Sequence, residues 1–405
     1  MLEKPLHIHI LAVAALGPGV SGGDKIFMES ARVWATQGHI VTIYVTEEGY
    51  DMCQRYALKD VRFVTLQARR WLKISFALHY LMKTIGAILM ACRTAFDSAK
   101  PHVIYSAGDS LPDVFPAWIL HLRHPAARWV AGFYFFAPAP WKSTWDKAYR
   151  GGKQPLSLRS FLYFLLQQLA YPLVRRNAHA FIVANYLDVE RMQKDGVSSS
   201  FIYPIYGGVD LPAIQAIPDP AEKSFEGVFV GRFHIQKGPL VLLNIWARVV
   251  EQIPGARLAV IGEGPLREEM DRTVQQLGLQ KNVRILGYID GTEKYKILKS
   301  SRVFLHTPTF DTGGMAAAEA MACGLPVVGF DLPGYRYCYP RGMVKARLQD
   351  EADFARWVIE LLTNPAAHET VRNDAVDFVR SWDWKARVGE MEHLMHHPEP
   401  PTSDS

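Results

Sequence analysis

The sequence predicts an α/β protein made of two doubly wound domains, and two observations carry that prediction. Short apolar runs typical of buried strands alternate with amphipathic helical segments from one end of the chain to the other. A polar, proline-broken stretch around Gly207 to Ser224 divides this alternation into two halves. With 405 residues, the chain is long enough for two ordinary domains with separate cores.

The first half is predicted to begin with a buried strand from His7 to Ala14 and a helix from Lys25 to Gly38. A long basic helix is expected from Leu72 to Ala95. Further strands are predicted at Ile40 to Val45, Val61 to Leu66, Val103 to Ser106, Ala127 to Gly132 and Ala180 to Ala184. The stretch from Pro138 to Pro155 is rich in aromatic residues, proline and glycine, which predicts a functional loop.

The second half repeats the pattern of strand and helix with short turns. Its strands are predicted at Gly227 to Val230, Ala256 to Gly262, Val283 to Gly287, Val303 to Thr307 and Pro326 to Phe330. Helices near Asp350 to Thr363, Ala367 to Trp382 and Trp384 to Met395 close the chain. The predicted domains are residues 1–206 and 207–380, followed by a C-terminal helix over 381–396 that packs back toward the first domain and a frayed tail over 397–405.

Composition indicates a globular protein of the cytoplasm. The apolar content is 49% and the charged content 21%, and no apolar run reaches the roughly 18–20 residues that span a bilayer. The apolar start leads straight into a glycine loop and a helix, so it is interpreted as a first core strand and not as a signal peptide. The four cysteines are scattered and lack metal-ligand spacing, as expected for reduced thiols.

Charge is distributed unevenly between the two halves. Met1 to Asp210 carries 23 Lys and Arg against 15 Asp and Glu, a net +8, and the rest carries 22 against 25, a net −3. Between Arg62 and Ala178, 16 basic residues face 4 acidic ones, beside Trp71 and long apolar helices. This pattern suits a protein that rests on an anionic membrane surface, although core helices with solvated basic ends would give it too. No recognised nucleic-acid module accompanies the charge, so no nucleic-acid partner is expected.

The segment from Ser301 to Gly329 predicts a buried strand, a polar loop with two glycines, a helix of small residues and another buried strand. Gly313 and Gly314 let the backbone approach a ligand closely where the helix begins. The first free N–H groups of that helix are expected at Met315 and Ala316, where their partial positive charge can hold a diphosphate.

Two carboxylates flank these glycines. Asp311 precedes them in the loop, and Glu319 lies eight positions later on the helix, about one turn beyond its start. Glu319 is predicted to reach the hydroxyls of a ribose. Together the carboxylates and the glycines predict a pocket for a sugar joined to a nucleoside diphosphate.

Three further clusters are candidates for donor binding. In V-F-V-G-R-F-H-I-Q-K-G, Arg232 and Lys237 are predicted to reach the carboxyl edge of the second sheet, where they can neutralise phosphate oxygens; two solvated loop charges are the alternative. In G-P-G-V-S-G-G-D-K, Gly22 and Gly23 can bring N–H groups to an anion at a helix N-terminus, or simply make a tight connection. The third cluster is V-I-G-E-G-P-L with the following R-I-L-G-Y, whose Glu263 and Tyr288 are predicted to lie near the donor and its base.

Taken together, these features resemble the retaining glycosyltransferases of family 4, which have the GT-B fold, two Rossmann-like domains facing each other across a cleft. G-R-F-H-I-Q-K-G, I-G-E-G-P-L, and the pair Asp311 and Glu319 occur in the family's order and spacing, and G-V-S-G-G-D and Y-G-G-V-D resemble its first loop and its hinge entry. The family usually has Glu at the position of Asp311 and Phe at that of Gly313. A His that many relatives carry after W-V-A-G-F-Y-F-F is missing, and Asn185 replaces a usual Ser.

The resemblance implies transfer of a sugar, with retention at the anomeric carbon, from a nucleoside-diphosphate sugar to a saccharide or lipid-linked acceptor. Arg232 and Lys237 would neutralise the leaving diphosphate, Asp311 would orient sugar hydroxyls, and no metal or other cofactor is implied. Tyr134, the nearest polar substitute for the missing His, and Trp141 are candidates for the acceptor side. A cytoplasmic enzyme, peripheral on the inner face of the membrane, is expected. A nucleotide-sugar epimerase or hydrolase of the same fold and an inactive binding scaffold remain the alternatives.

Overall fold

The computed structural model of the chain describes residues 5–15, 20–137, 158–184, 186–309, 311 and 313–396. These residues form two compact units. One contains the described residues up to Gly207 together with the helix that begins at Trp384, and the other runs from Gly208 to Asp383. Trp141, Asn185, the predicted loop from Pro138 to Pro155 and the tail over 397–405 lie outside the described residues.

Seven parallel strands form the sheet of the first unit, in the order β3-β2-β1-β4-β5-β6-β7. The strands are β1 (His7–Leu11), β2 (Ile40–Thr46), β3 (Arg62–Leu66), β4 (His102–Ser106), β5 (Arg128–Gly132), β6 (Ala180–Val183) and β7 (Ile202–Pro204). The helices are α1 (Gly22–Thr36), α2 (Glu47–Arg55), α3 (Arg69–Leu72), α4 (Phe76–Arg93), α5 (Leu111–Arg123), α6 (Leu158–Asn177) and α7 (Tyr186–Lys194). The strand order reverses between β1 and β4, as in doubly wound folds.

The predicted single helix over Leu72 to Ala95 is wrong, because the structure divides this stretch into α3 and α4. The chain turns at Lys73 and Ile74, and Ser75 then caps α4 by accepting a hydrogen bond from the N–H of Leu78 on its side-chain oxygen. A serine in this position satisfies one of the free N–H groups at a helix start. Among the described residues, no helix combines the length and the hydropathy that a membrane-spanning segment needs.

Six parallel strands form the sheet of the second unit, in the order β10-β9-β8-β11-β12-β13. They are β8 (Phe225–Val230), β9 (Leu258–Ile261), β10 (Val283–Gly287), β11 (Ser301–His306), β12 (Val327–Phe330) and β13 (Met343–Ala346). The helices are α8 (Leu211–Gln215), α9 (Pro239–Gln252), α10 (Arg267–Gln276), α11 (Gly291–Lys299), α12 (Met315–Ala322), α13 (Tyr335–Cys338), α14 (Glu351–Thr363) and α15 (Pro365–Val379). The predicted fold class of two parallel α/β domains is therefore confirmed.

The last helix, α16 (Trp384–His396), returns to the first unit and packs on α1. The Ser30 hydroxyl lies 3.3 Å from the sulfur of Met391, and the His39 Nε2 lies 2.9 Å from a carboxylate oxygen of Glu392. These contacts join residues more than 350 positions apart, so the first unit is completed by the end of the chain.

Glycines let two loops of the second unit pack backbone against backbone at the carboxyl edge of its sheet. Gly262 has a φ of +147°, and a Cβ there would lie 1.9 Å from the carbonyl oxygen of Gly231. A Cβ on Gly264 would lie 2.5 Å from the carbonyl oxygen of Phe233. The same loops are joined by a hydrogen bond from the Phe233 N–H to the Glu263 carbonyl. The loop that carries Arg232 is therefore fixed by the glycines of the neighbouring loop.

Replacing Gly262 by alanine is expected to destabilise the protein by roughly 3 kcal/mol or more, because the new methyl group meets a carbonyl and the backbone is strained. Gly255→Ala is the matched control, since a Cβ there meets nothing within 4 Å and a change of about 0.5 kcal/mol or less is expected. Urea unfolding measures both. Equal stabilities of the two variants would contradict the backbone packing described here.

Candidate functional site

The loop between β11 and α12 has the predicted form of a glycine turn that opens a helix. Gly314 adopts a φ of +59° and directly precedes the helix. A Cβ on this residue would lie 3.1 Å from both the Nε2 of His306 and the hydroxyl oxygen of Tyr335. Because the helix begins at Met315, its first N–H groups belong to Met315 and Ala316, as the sequence predicts.

Tyr339, which follows α13, holds the carbonyl groups of this turn. Its hydroxyl donates toward the carbonyl oxygens of Gly314, at 2.8 Å, and Gly313, at 3.2 Å. The ring is fully buried and stacks on Trp382 with centroids 5.1 Å apart. Burial and neighbouring acidic groups raise the pKa of Tyr339 well above its ordinary value, so the hydroxyl stays a donor. Since the carbonyls are held from the core side, the turn keeps its N–H groups at the helix start for a ligand.

Asp311 is directed at Lys237, which comes from a different loop. The Lys237 ammonium lies 2.8 Å from Oδ2 of Asp311, and the Asp311 side chain is only 8% exposed. Burial raises the pKa of the Asp311 carboxyl, but Lys237 and the neighbouring His306 outweigh burial and hold this pKa well below its ordinary value. The carboxylate is therefore ionised at neutral pH and forms a charge-assisted bond with Lys237.

His306, at the end of β11, lies next to this ion pair. Its Nε2 lies 2.6 Å from the Tyr335 hydroxyl oxygen and 3.6 Å from Oδ2 of Asp311. Burial lowers the pKa of His306, so the imidazole is neutral at physiological pH. The sequence interpretation treated His306 as structural. The structure places its ring against Asp311 and beside the glycine turn.

The segment around Lys237 is joined to the segment after β11 by several contacts. The Thr307 hydroxyl donates to the carbonyls of Lys237 and Gly238, at 3.2 and 3.1 Å, and the Thr309 N–H donates to Gln236. Gly238 has a φ of +64°, and a Cβ there would lie 2.1 Å from the Thr307 carbonyl oxygen. The Lys237 side chain remains 30% exposed, so its ammonium can meet both Asp311 and a bound anion.

The other residues predicted for the donor lie on the loops that follow β8, β9 and β10, at the same edge of the second sheet. Arg232 is exposed on the loop fixed by the glycines. Glu263 is ion-paired with Arg267 at 3.0 Å, and Tyr288 is 58% exposed directly after β10. Glu319 lies on α12 and is buried, with a carboxylate oxygen 2.9 Å from the Lys294 ammonium. The structure thus brings the predicted residues of the second unit to one edge of its sheet.

Gly22 and Gly23 open α1 at the carboxyl edge of the first sheet, next to a capping box. The Ser21 hydroxyl accepts from the Asp24 N–H, and the Asp24 carboxylate accepts from the Ser21 N–H, which is a capping box. A Cβ on Gly23 would lie 3.2 Å from the ring of Tyr134. Gly23 therefore makes room for Tyr134, and a role of Gly22 and Gly23 in donor binding stays a prediction.

Tyr134, predicted for the acceptor side, is engaged inside the first unit. Its hydroxyl is hydrogen-bonded to that of Tyr105. Burial and the contact with Tyr105 raise the pKa of Tyr134 well above its ordinary value, which rules out a phenolate at neutral pH. Trp141, the other acceptor candidate, lies outside the described residues. Among the residues that the structure describes, no three or more His, Cys, Asp or Glu side chains are grouped to hold a metal ion.

The residues that sequence reasoning missed are the supports of the site: His306, Tyr335, Tyr339 and Lys294. The sequence does contain a signal for His306, because this residue ends a predicted strand and the polar loop with the predicted site follows closely. Tyr335 and Tyr339 are four positions apart, a spacing that places them on one side of a helical turn. Nothing in the local sequence links either tyrosine to the glycine turn more than 20 residues earlier.

Comparison with known proteins relates the chain to glycosyl transferases. Residues 212–377 match the family model described as glycosyl transferases group 1. The phosphatidyl-myo-inositol mannosyltransferase of Mycobacterium leprae is 26% identical over 73% of this chain and 84% of its own length. The second unit of the chain is therefore similar to the group 1 glycosyl transferases. An uncharacterized glycosyltransferase, MJ1059, of Methanocaldococcus jannaschii is 28% identical over 40% of this chain, but the match spans only 41% of that relative.

Solved structures share the fold over almost the whole chain. The sucrose-phosphate synthase of Thermosynechococcus elongatus superposes with a TM-score of 0.70 at 18% identity, covering 97% of this chain and 98% of that one. Anabaena Alr3699/HepE, in complex with UDP and glucose, gives a TM-score of 0.69 at 14% identity, covering 97% of this chain and all of that one. These likenesses confirm the GT-B fold of the chain.

Replacing Asp311 by asparagine is expected to destabilise the protein at neutral pH by about 1–3 kcal/mol, because Lys237 loses a buried charged partner. The folded-state pKa of Asp311 is depressed, so its contribution is complete above the ordinary value of 3.8 and declines as the pH falls below it. Urea unfolding at pH 7, 5 and 3 measures the difference between wild type and variant, which should shrink toward pH 3. Asp271→Asn, on a surface pair with Arg267, is the control. A difference that grows as the pH falls would contradict this assignment.

Proposed function

We propose that this chain transfers a sugar from a nucleoside-diphosphate sugar to a hydroxyl group, with retention at the anomeric carbon and without a metal ion. The observation that carries the proposal is the arrangement at the start of α12. There, the Lys237 ammonium is held by Asp311 beside a glycine turn that presents the N–H groups of Met315 and Ala316. Ammonium groups and helix N–H groups together are suited to the two phosphates of a nucleotide.

In this proposal, each residue contributes charge or position and none acts as a protein nucleophile. Lys237, Arg232 and the α12 N-terminus stabilise the charge that develops on the departing diphosphate. Glu319 holds the ribose hydroxyls. Asp311 orients the sugar hydroxyls, the role that the resemblance implies for it, and its ion pair also fixes the position of Lys237.

The ligands bound by two structural neighbours support a nucleoside-diphosphate sugar as the donor. Alr3699/HepE has been solved with UDP, with UDP and glucose, and with UDP-glucose, and Staphylococcus aureus TarM with UDP. The identity of the base and of the sugar used by this chain is left to the experiment. The two alternatives, an epimerase or hydrolase of a nucleotide sugar and an inactive scaffold, are outcomes of the same experiment.

The test is calorimetric binding of uridine, guanosine and adenosine diphosphates and their sugar conjugates, with a chelator present. One base is expected to bind, and Arg232→Ala should weaken its affinity about tenfold or more because a charged contact to phosphate is lost. Arg356→Ala, which removes an exposed arginine paired with Asp353 on α14, is the matched control and should bind as wild type does.

The results separate the alternatives. Binding followed by transfer to an added acceptor supports the proposal. Turnover of the nucleotide sugar without any acceptor would favour the epimerase or hydrolase. Absence of binding by every nucleotide would favour the scaffold, and binding only after metal is restored would overturn the metal-free mechanism.

We also propose that the first unit rests on an anionic membrane and that its acceptor is lipid-linked. The outer faces of two helices support this. Leu81, Ile85 and Leu89 are exposed at intervals of four residues on α4, and Phe161, Leu165 and Leu169 are exposed in the same way on α6. Residues four apart lie on one face of a helix, so each set forms an apolar stripe. The helix α5 packs against both α4 and α6.

Charge favours a membrane over a second copy of the chain as the occupant of these stripes. The helices α3, α4 and α6 contain no Asp or Glu, and the one acidic residue of α5, Asp113, is buried. Arg70 and Lys73 are exposed beside Trp71 and Ile74. Two copies meeting on this face would bring like charges together, whereas anionic lipid headgroups would neutralise them. Arg69 contributes less, since it is ion-paired with Glu48 and Asp51.

Two double variants test the membrane proposal by co-sedimentation with vesicles of anionic phospholipid. One combines Leu81→Gln with Leu89→Gln, and the other combines Arg70→Gln with Lys73→Gln. Each is expected to reduce co-sedimentation at least several-fold. The first pair removes buried apolar area in the bilayer, and the second removes attraction of about 1 kcal/mol per charge. Lys59→Gln with Lys194→Gln is the control, because both lysines are exposed in the first unit and neither belongs to α3, α4 or α6. Nucleotide binding should be unchanged in all three. Undiminished sedimentation of both test variants would refute the membrane proposal.

A further inference from the structure

A buried lysine, Lys294, connects the two carboxylates Asp290 and Glu319. Its ammonium lies 2.9 Å from Oε2 of Glu319 and 2.7 Å from Oδ1 of Asp290. The Lys294 side chain is only 4% exposed, although lysine is among the residues least often buried. Asp290 immediately precedes α11, Lys294 lies on that helix, and Glu319 lies on α12, which packs against it.

The geometry makes Lys294 the group that fixes the orientation of Glu319. A carboxylate this deeply buried needs a charged or hydrogen-bonding partner, because removing it from water is otherwise very costly. Lys294 supplies that partner from one side of the carboxylate, through Oε2. Asp290 in turn holds the ammonium, so Lys294 cannot swing away without losing a second ion pair. The position of the Glu319 carboxylate is therefore set by α11 as well as by its own helix.

We infer that Lys294 is a positioning residue that gives this enzyme its selectivity for a ribose over a deoxyribose in the nucleotide donor. The inference rests on the proposed function, in which Glu319 accepts hydrogen bonds from the ribose hydroxyls. A carboxylate has about four acceptor sites on its two oxygens, so one that is oriented by an ammonium can also receive hydroxyl groups. With Lys294 removed, the carboxylate would lose its fixed orientation and the hydroxyl contacts would weaken selectively.

The neighbouring Lys296 provides a matched control on the same helix. Its ammonium pairs with Glu293 at 3.3 Å, but the Lys296 side chain is 58% exposed. Surface pairs of this kind contribute little to structure or binding. A variant at Lys296 thus removes the same chemical group from α11 without touching Glu319.

The experiment measures the affinities of uridine diphosphate and its 2′-deoxy and 3′-deoxy analogues by calorimetry, with the guanosine or adenosine series if that base is the one that binds. Wild type is expected to prefer the ribonucleotide by about tenfold or more, because hydrogen bonds to a charged group are lost in the analogues. Glu319→Gln and Lys294→Met should both reduce the preference to about twofold, and Lys296→Met should retain it.

A variant that fails to fold would show this in its thermal unfolding curve. Lys294→Gln is therefore measured beside Lys294→Met, because its amide can still donate to a buried carboxylate but ends one atom short of the lysine nitrogen. The preference for ribose should be lost in Lys294→Gln as well. Affinity for the deoxynucleotides should stay close to the wild-type value in both variants, which a general loss of structure would not allow.

Each outcome decides one claim. Loss of the preference in Glu319→Gln but not in the folded Lys294 variants would overturn the inference and leave the proposed function standing. Retention of the preference in Glu319→Gln would show that Glu319 does not contact the ribose and would overturn the inference at its base. Failure of wild type to bind any nucleoside diphosphate would instead overturn the proposed function.

Discussion

The ion pair between Lys237 and Asp311 is the interaction on which the proposed donor site depends. It joins the segment that follows β8 to the segment that follows β11, 74 residues later in the chain. Two kinds of contact let the pair form. Gly238 allows its segment to lie directly against the Thr307 carbonyl, and His306 with Tyr335 fills the space beneath Asp311. The ammonium is thereby placed beside the start of α12, where the helix N–H groups add to its positive potential.

The two units differ in what their helix N-termini can offer, although both carry glycines after a buried strand. In the second unit, the Tyr339 hydroxyl donates to the Gly314 carbonyl of the turn, and the N–H groups remain at the helix start. In the first unit, the Ser21 and Asp24 capping box lies at the helix start, and Tyr134 packs over Gly23. The same sequence signal, paired glycines before a helix, therefore leads to two different arrangements, and a contact of Gly22 or Gly23 with an anion stays a prediction.

Sequence periodicity was sufficient to predict β1 to β6 and β8 to β12, most helices, and the residues at the carboxyl edge of the second sheet. It did not predict the short strands β7 and β13. It also failed where a uniform pattern is interrupted, as at the turn of Lys73 and Ile74, after which Ser75 caps α4. The Ser21 and Asp24 spacing was readable as a capping box and was overlooked. The supports of the site could not be predicted, because Tyr339 to Gly314 and Lys294 to Glu319 are contacts between elements separated by 25 residues. Such contacts are set by how the helices pack, and a local pattern does not encode them.

The most direct test of this account is backbone amide exchange at Met315 and Ala316, measured with and without a saturating nucleoside diphosphate. If the start of α12 holds the diphosphate, these two amides become hydrogen-bonded to phosphate oxygens and their exchange slows markedly on binding. Exchange at Gly255, a turn remote from this loop in the sequence, should stay the same. Unchanged exchange at Met315 and Ala316 in a protein that is saturated with nucleotide would contradict the account, because the diphosphate would then lie elsewhere.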